Sequence, residues 1–322
     1  MTAATPIREI HVAVAVVIRD GKVLIARRPD HVHQGGLLEF PGGKVEAGES
    51  VQQALVRELA EETGLTVPET SLEPVIGIRH NYGDKQVFLD VWRTAEAQGT
   101  PEGREGQPIE WLAPSSLDDD DFPAANRPII RALRLPSVLA ITGPMASVEQ
   151  GVARLVAGLK AKPQALVLLR APELEPADYR NLAQQALPLC RQAGAGVLVH
   201  GAPERFHDTP GAAGVHLPWR EAATLQTRPI GSEAWLGVSC HNAEQIAHAQ
   251  RLGADYVTLG PVQPTATHPG VDAMGWAAFQ SLVAAAAVPV YGLGGLTDTD
   301  AGRARREGGQ GVAGIRFWWP EH

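Results

Sequence analysis

Two cysteines in 322 residues, Cys190 and Cys240, are too few and too far apart for a disulfide framework. No Cys-x-x-Cys pair or Cys/His cluster marks a zinc or redox centre. A reducing, cytoplasmic setting is the expectation. Basic residues are also short, since 28 Lys and Arg stand against 36 Asp and Glu and leave a net charge of -8. That balance offers no basic footprint for polymeric DNA or RNA, so a small ligand is the better partner class. Long hydrophobic runs are missing too. No stretch reaches the roughly 18 apolar residues of a membrane span, and the opening MTAATPIREIHVAVAVVIRDGK lacks a basic segment followed by an uninterrupted apolar core. No membrane partner is expected, and residues 12–18 read as a buried strand.

What is present points first to residues 42–65, GGKVEAGESVQQALVRELAEETGL. Ser50 stands where an N-cap is wanted, Gln53 three residues on completes a capping box, and Gly64 is placed to end the helix. The spacing predicts a helix over residues 51–63. At about 100° per residue, Glu58, Glu61 and Glu62 share one sector, while Leu55, Val56, Leu59 and Ala60 gather on another side. Three like charges at i, i+3 and i+4 cost a few tenths of a kcal/mol per pair, so they need solvation or a cation. Hard oxygen ligands suit magnesium, with manganese as the alternative ion. A solvated acidic face is the other reading of the triplet. Ahead of it lies Phe40-Pro41-Gly42-Gly43, a turn in which glycine lets backbone approach a ligand, followed by Glu46 and Glu49. Arg57 is spaced to pair with Glu61 at i+4 or to reach back to Glu49.

Gly43, Glu49, Arg57, Glu58, Leu59, Glu61, Glu62, Gly64 and Leu65 together match the pattern G-x5-E-x7-R-E-U-x-E-E-x-G-U. The segment from about residue 10 to about residue 135 thus resembles the Nudix hydrolases, and most of all the MutT type, which hydrolyse oxidised nucleoside triphosphates. The resemblance implies an α/β/α sandwich with a mixed sheet. It also implies magnesium held by Glu58, Glu61 and Glu62 with help from the Gly42 carbonyl, and Glu105 in Arg104-Glu105-Gly106-Gln107 as a distant acidic ligand. Either Glu58 or Glu105 would serve as general base, with Arg57 holding the carboxylates. The implied reaction splits 8-oxo-dGTP into 8-oxo-dGMP and pyrophosphate, a step of nucleotide-pool sanitation and DNA repair.

By the same resemblance, base recognition would involve Arg28, Phe40, Tyr82 and Asn126. An Asn amide offers a donor and an acceptor to the edge of an 8-oxo-purine, and aromatic rings stack on a base face. Residue type alone leaves a second reading of Asn126, as the cap of a helix that begins near Pro128. The run Asp118 to Asp121 is expected to be a solvated loop without a metal role.

The length suggests two domains at about 150 residues each. A boundary is expected near residues 133–137, giving domains 1–135 and 136–322, because a helix over 128–135 meets Pro136 and a new apolar run begins. Candidate strands at 138–142, 165–169, 196–199, 214–217, 235–239, 256–259, 288–292 and 312–317 alternate with helices and predict a (β/α)8 TIM barrel. The chain as a whole is therefore of the α/β class. Barrel chemistry belongs at the strand carboxyl ends. That directs attention to Arg170, His200, His216, Ser239-Cys240-His241, Gly260-Pro261 and the phosphate-compatible Gly294 and Gly295.

Gly214 to Leu217, Gly237 to His241, Gly253 to Tyr256, Leu259 to Val262, Thr265 to Thr267 and Gly292 to Leu296 resemble the thiamine phosphate synthases and TenI-like tautomerases. That family implies a lysine after the second strand, an Asn-Asp pair after the third and an acidic metal ligand after the fourth. This chain reads Arg170-Ala171-Pro172, His200-Gly201 and Pro218-Trp219-Arg220-Glu221 there, with His268 in place of a lysine. Synthesis of thiamine phosphate is not expected. His241 matches the tautomerase acid–base position, with a structural histidine as the other reading. Three functional readings follow: an oxidised-nucleotide diphosphatase with a degenerate barrel; a thiamine-related pyrophosphate hydrolase whose barrel takes a thiazole or thiamine phosphate; and a hydrolase whose barrel is a sensor or scaffold. Phe317-Trp318-Trp319 is read as covering the barrel mouth, as a dimer patch, or as closing a core. The oligomeric state is left open.

Overall fold

The computed structural model describes residues 9–31, 34–81, 86–265 and 270–319, and the chain separates into two compact units, Met1–Leu135 and Pro136–His322. In the first unit the strands are β1 (Glu9–Arg19), β2 (Lys22–Arg27), β3 (Leu38–Glu39), β4 (Gly42–Lys44), β5 (Glu73–Asn81), β6 (Gln86–Thr94) and β7 (Ile109–Leu112). They form a mixed sheet in the order β3-β2-β1-β6-β5, with β4 added to β1 and β7 to β2. Among the described residues of this unit only β1 and β6 run parallel, from Glu9 opposite Gln86 to Val17 opposite Thr94. The apolar run of β1 explains its central place: alternate residues Ala13, Ala15 and Val17 face one layer, as period-two alternation requires.

That layer is helix α1 (Val51–Thr63), whose Ala54, Leu55 and Leu59 pack on the β1 residues. The predicted bounds and caps are found as drawn. Gln53 N–H donates to Ser50 Oγ at 3.1 Å, Ser50 N–H donates to Gln53 Oε1 at 3.0 Å, and Gly64 ends the helix at φ 71°. Helix α2 (Arg127–Arg134) buries Ile129 and Ile130 and runs close against β5.

In the acidic run before α2, Asp118, Asp120 and Asp121 are exposed as expected, and Asp119 departs from the expectation. Asp118 caps a short turn, but Asp119 is only 15% exposed and is gripped by Arg131 through Nη1–Oδ1 at 3.2 Å and Nη2–Oδ2 at 2.6 Å. Arg127 Nε adds a third contact at 3.2 Å. Two arginines four residues apart on α2 turn one face of the helix toward this loop, which is why one aspartate of the four is drawn out of water.

In the second unit, strands β8 (Val138–Ile141), β9 (Leu166–Leu169), β10 (Gly196–His200), β11 (Gly214–Leu217), β12 (Trp235–Cys240), β13 (Tyr256–Leu259), β14 (Val290–Leu293) and β15 (Gly311–Gly314) close a parallel barrel among the described residues. The pairing of Val312 with Val138 completes the circle. The last strand stops at Gly314, short of the expected residue 317. Phe317 packs against the barrel core, while Trp318 and Trp319 are buried within it, and Trp318 Nε1 donates to Ile141 O at 2.8 Å. Those aromatics close a core. Val167, Val197, Val215, Val238, Val257 and Val312 join the outer core with the helices. The alternate positions therefore turn inward.

Replacing Asp119 by Ala removes the paired hydrogen bonds to the Arg131 guanidinium, which is 8% exposed. The variant is expected to lose about 2–4 kcal/mol in the unfolding of the first unit, with the barrel transition unmoved, read by chemical denaturation.

Candidate active site

The N-terminal site begins with backbone. Gly42 holds φ 149°, and a Cβ there would lie 2.1 Å from the Ala13 carbonyl oxygen, so β4 can lie on β1 at this point only as glycine. At Gly43 a Cβ would stand 2.1 Å from the Glu58 carboxylate. The turn is thus pressed against the acidic face of α1, and Gly42 N–H donates to Glu62 Oε2 at 3.2 Å.

Arg57 lies beside that face. Its Nε and Nη2 donate to the two oxygens of Glu49 at 2.9 and 3.0 Å, Nη1 donates to Glu58 at 2.8 Å and Glu61 at 3.3 Å, and Nη2 also reaches Lys44 O at 3.1 Å. The sequence offered Glu61 or Glu49 as its partner. The structure gives it both, together with Glu58. Hydrogen bonding to Arg57 holds the Glu49 carboxyl below the usual range.

Glu105 arrives from a separate loop, which is laced to the carboxyl end of α1. Glu102 N–H donates to Thr63 O, Arg104 N–H and Gln107 Nε2 donate to Glu62 O, and Arg104 Nη1 donates to Ala60 O, all between 2.9 and 3.1 Å. These are the carbonyls a helix leaves without internal partners. Glu39 enters from β3, held by Arg28.

The result is an excess of negative charge around Glu62. Burial first, and then Glu58, Glu105 and Glu39, push its carboxyl up to about 7, against the support of the Gly42 N–H. Burial likewise raises Glu39, with Arg28 opposing. Among the described residues Glu62 and Glu105 have no ion pair, whereas Glu61 lies farther out, 61% exposed on Arg57. The donor set suits a hard divalent cation, because carboxylates that repel one another and lack a cationic partner are stabilised by one. As they lie, no three His, Cys, Asp or Glu groups among the described residues are placed to hold a metal ion together. The reason is visible: Glu58 is turned onto Arg57 and Glu62 onto Gly42 N–H.

The residues expected to read a base are less uniform. Phe40 is buried and stacks on Phe122, with ring centroids 5.6 Å apart. Arg28 is tied to Glu39, and Tyr82 lies outside the described residues. Asn126 opens α2 yet makes no side-chain cap bond; its Nδ2 donates weakly to Pro123 O at 3.4 Å, and it is 8% exposed. The capping reading of Asn126 fails on that geometry.

In the barrel, a cavity of about 470 Å³ opens at the strand carboxyl ends. Arg170, His200, His216, Ser239, Cys240, His241, Gly260, Gly294 and Gly295 all border it, as the barrel topology predicts. His241 sits exposed, with Nδ1 2.9 Å from Gln245 Oε1. Burial, followed by the charges of Arg170, Arg205 and Arg220, lowers His200 to about 3. Burial pushes His216 well below its ordinary value and raises the Cys240 thiol to about 12.

Sequence reasoning missed Glu39, Thr258 and Tyr256. Glu39 stands in the stretch Glu39 to Lys44 that resembles the MutT pattern, but its place beside the other acids follows only from the pairing of β3 with β2. Thr258 and Tyr256 carry a fainter signal, since polar groups at alternate positions of a barrel strand turn inward.

A profile described as "NUDIX domain" matches residues 13–132, and one described as "Thiamine monophosphate synthase" matches residues 138–317. The chain is 39% identical over 128 residues to the 8-oxo-dGTP diphosphatase of Escherichia coli K12, covering 39% of this chain and 98% of that protein. It is 38% identical over 123 residues to the CTP pyrophosphohydrolase of the same organism, covering 38% and 90%. It is 33% identical over 165 residues to the thiamine-phosphate synthase of Laribacter hongkongensis, covering 51% and 77%.

Because Glu62 is raised from 4.5 to about 7 in the folded chain, it stabilises the fold fully below about pH 4.5, and that contribution is lost as pH rises through about 7. In chelator, the denaturation midpoint of the first unit is expected to fall across this window, less steeply with added magnesium. Glu62→Gln is expected to flatten the slope. A wild-type slope matching the Glu62→Gln slope in chelator contradicts the assignment.

Proposed function

The chain belongs to the NUDIX domain family through its N-terminal unit and to the thiamine monophosphate synthase family through its C-terminal unit, and on that premise we propose that the first unit is a magnesium-dependent pyrophosphohydrolase of oxidised nucleoside triphosphates. One observation carries the reading: Glu39, Glu58, Glu62 and Glu105 act on one another beside the Gly42-Gly43 turn, and Glu62 and Glu105 have no ion pair among the described residues.

Glu58, Glu62 and Glu105 would hold the ion, with Glu61 and the Gly42 carbonyl completing the set. Bound there, magnesium supplies charge neutralisation for the triphosphate and a more readily ionised water. Glu58 or Glu105 takes a proton from the attacking water. Its oxygen bonds to the β-phosphorus, the bridge to the α-phosphate breaks, and the monophosphate departs with pyrophosphate as the second product. Arg57 keeps Glu58 and Glu49 from drifting, and so acts as a positioning residue. Glu39 steadies Arg28 at the edge of the base site.

Asn126 would offer a donor and an acceptor together to the edge of an oxidised purine, because its amide is not spent on a helix cap. Phe40, steadied by Phe122, would contribute aromatic surface, with Arg28 and Tyr82 at the rim of the same site. The role in the cell is removal of an oxidised precursor before it is copied into nucleic acid.

The barrel supports a narrower statement. Its cavity is bordered by Arg170, Arg220 and Arg316 and by no carboxylate among the described residues, which suits a thiazole or thiamine phosphate as ligand. It lacks the lysine and the acidic metal ligand a synthase uses to release pyrophosphate, so thiamine phosphate is bound and not made. His241 would move a proton on such a ligand.

The deciding experiment compares kcat/KM for 8-oxo-dGTP, dGTP, CTP and thiamine pyrophosphate with magnesium, with the products resolved. A preference for 8-oxo-dGTP is expected, and a preference for thiamine pyrophosphate overturns the reading. Glu58→Gln and Glu62→Gln are each expected to lower turnover by at least about 100-fold while the fold persists. Asn126→Ala is expected to reduce the 8-oxo-dGTP to dGTP preference about tenfold, with a smaller change on dGTP itself. Equal losses on both substrates leave Asn126 with a loop-shaping role only.

A further inference from the structure

The inward wall of the barrel carries a chain of hydrogen bonds that ends in the cavity. Tyr256 is completely buried, and its hydroxyl lies 3.0 Å from His216 Nδ1, its only hydrogen-bond partner among the described residues. His216, 1% exposed, places Nε2 2.9 Å from Ser239 Oγ. Room for the chain is left by Gly237, where a Cβ would come within 2.3 Å of the Tyr256 hydroxyl and 2.5 Å of His216 Nδ1. His200 lies parallel to His216, with centroids 6.0 Å apart. The next strand sets Thr258 beside Ser239 in register. Thr258 Oγ1 is buried without a partner and borders the cavity.

The chain has a direction. A buried tyrosine O–H left undonated is costly, and Nδ1 is the only acceptor it meets among the described residues, so Tyr256 donates and Nδ1 accepts. The proton of the neutral imidazole is then on Nε2, which donates to Ser239 Oγ. Ser239 has no other partner among the described residues, so its own O–H is free to point into the cavity. A serine that donated to Nε2 would be a candidate nucleophile. A serine that accepts from Nε2–H is a hydrogen-bond donor to whatever sits in front of it.

We propose that Tyr256 and His216 are a positioning pair that fixes Ser239 as a donor, so that Ser239 and Thr258 together select an anionic, metabolite-sized ligand bearing a hydrogen-bond acceptor beside this wall. The three bordering arginines supply the charge preference, and the hydroxyls supply the choice among anions. The inference rests on the reading of the barrel as a binding site for a phosphorylated ligand. No covalent step is assigned to Ser239.

The test uses the full chain with nitrogen-15 histidine and long-range nitrogen–proton NMR, with the His216 signals identified by their loss in His216→Asn. The expected spectrum has a protonated Nε2 and a bare Nδ1, and Tyr256→Phe mixes the two tautomers. A protonated Nδ1 in the unsubstituted chain overturns the proposal. Calorimetry with thiamine phosphate, without divalent metal, adds the second arm. Ser239→Ala is expected to bind about tenfold more weakly, with Ser239→Thr close to the original. Tyr256→Phe is expected to weaken binding as well, although Tyr256 does not border the cavity. Unchanged binding in Ser239→Ala overturns the donor role. Failure of the original chain to bind thiamine phosphate defeats the ligand reading of the barrel, and the nitrogen spectrum then decides the pair by itself.

Discussion

The Arg57 guanidinium spends its donors on three carboxylates and one backbone carbonyl, binding Glu49, Glu58, Glu61 and Lys44 O at once. Each contact ties a different piece of chain: the loop before α1, two turns of α1 itself, and the end of β4. A planar, permanently charged fork is suited to this, since a lysine ammonium cannot hold two oxygens of one carboxylate while reaching sideways to others. The cation does not neutralise the site. It fixes the geometry of three acids and leaves Glu62 and Glu105 without an ion pair among the described residues.

The barrel follows a different rule. Its cavity is bordered by hydroxyls, by histidines among which burial disfavours the charged form of His200 and His216, and by three arginines. His200 and His216 lie on neighbouring strands where burial disfavours protonation, and the arginines push His200 further the same way. One unit thus presents unbalanced acids, and the other neutral hydrogen-bonded groups beside arginines. Two such sites ask for different partners, which is consistent with two families joined in one chain.

Local signals were the most legible in the sequence. The capping box of Ser50 and Gln53, the Gly64 terminus and the three-four spacing of Glu58, Glu61 and Glu62 are written within one helix, and α1 has the bounds they predict. The barrel strand starts and ends were clear within a residue or two, except where Gly314 ends β15 before the aromatic run, while β1 begins three residues ahead of the expected residue 12. Less was legible where distant segments meet. Glu39 joins the acidic group only through the pairing of Ala26 with Glu39 across β2 and β3. Asp119 is drawn from water by arginines on α2 whose direction no composition reveals. The Tyr256–His216–Ser239 chain needs three strands in register before its members touch.

The lacing of residues 102–107 onto α1 has a further meaning. The last carbonyls of that helix, those of Ala60, Glu62 and Thr63, accept from the loop that carries Glu105, and Ala60 O accepts from Gly64 N–H as well. Fraying of the helix end and departure of the loop are therefore one event, because neither can occur without breaking the same bonds. The acidic cluster assembles cooperatively, and amide protection in the last turn of α1 reports whether Glu105 is at its station.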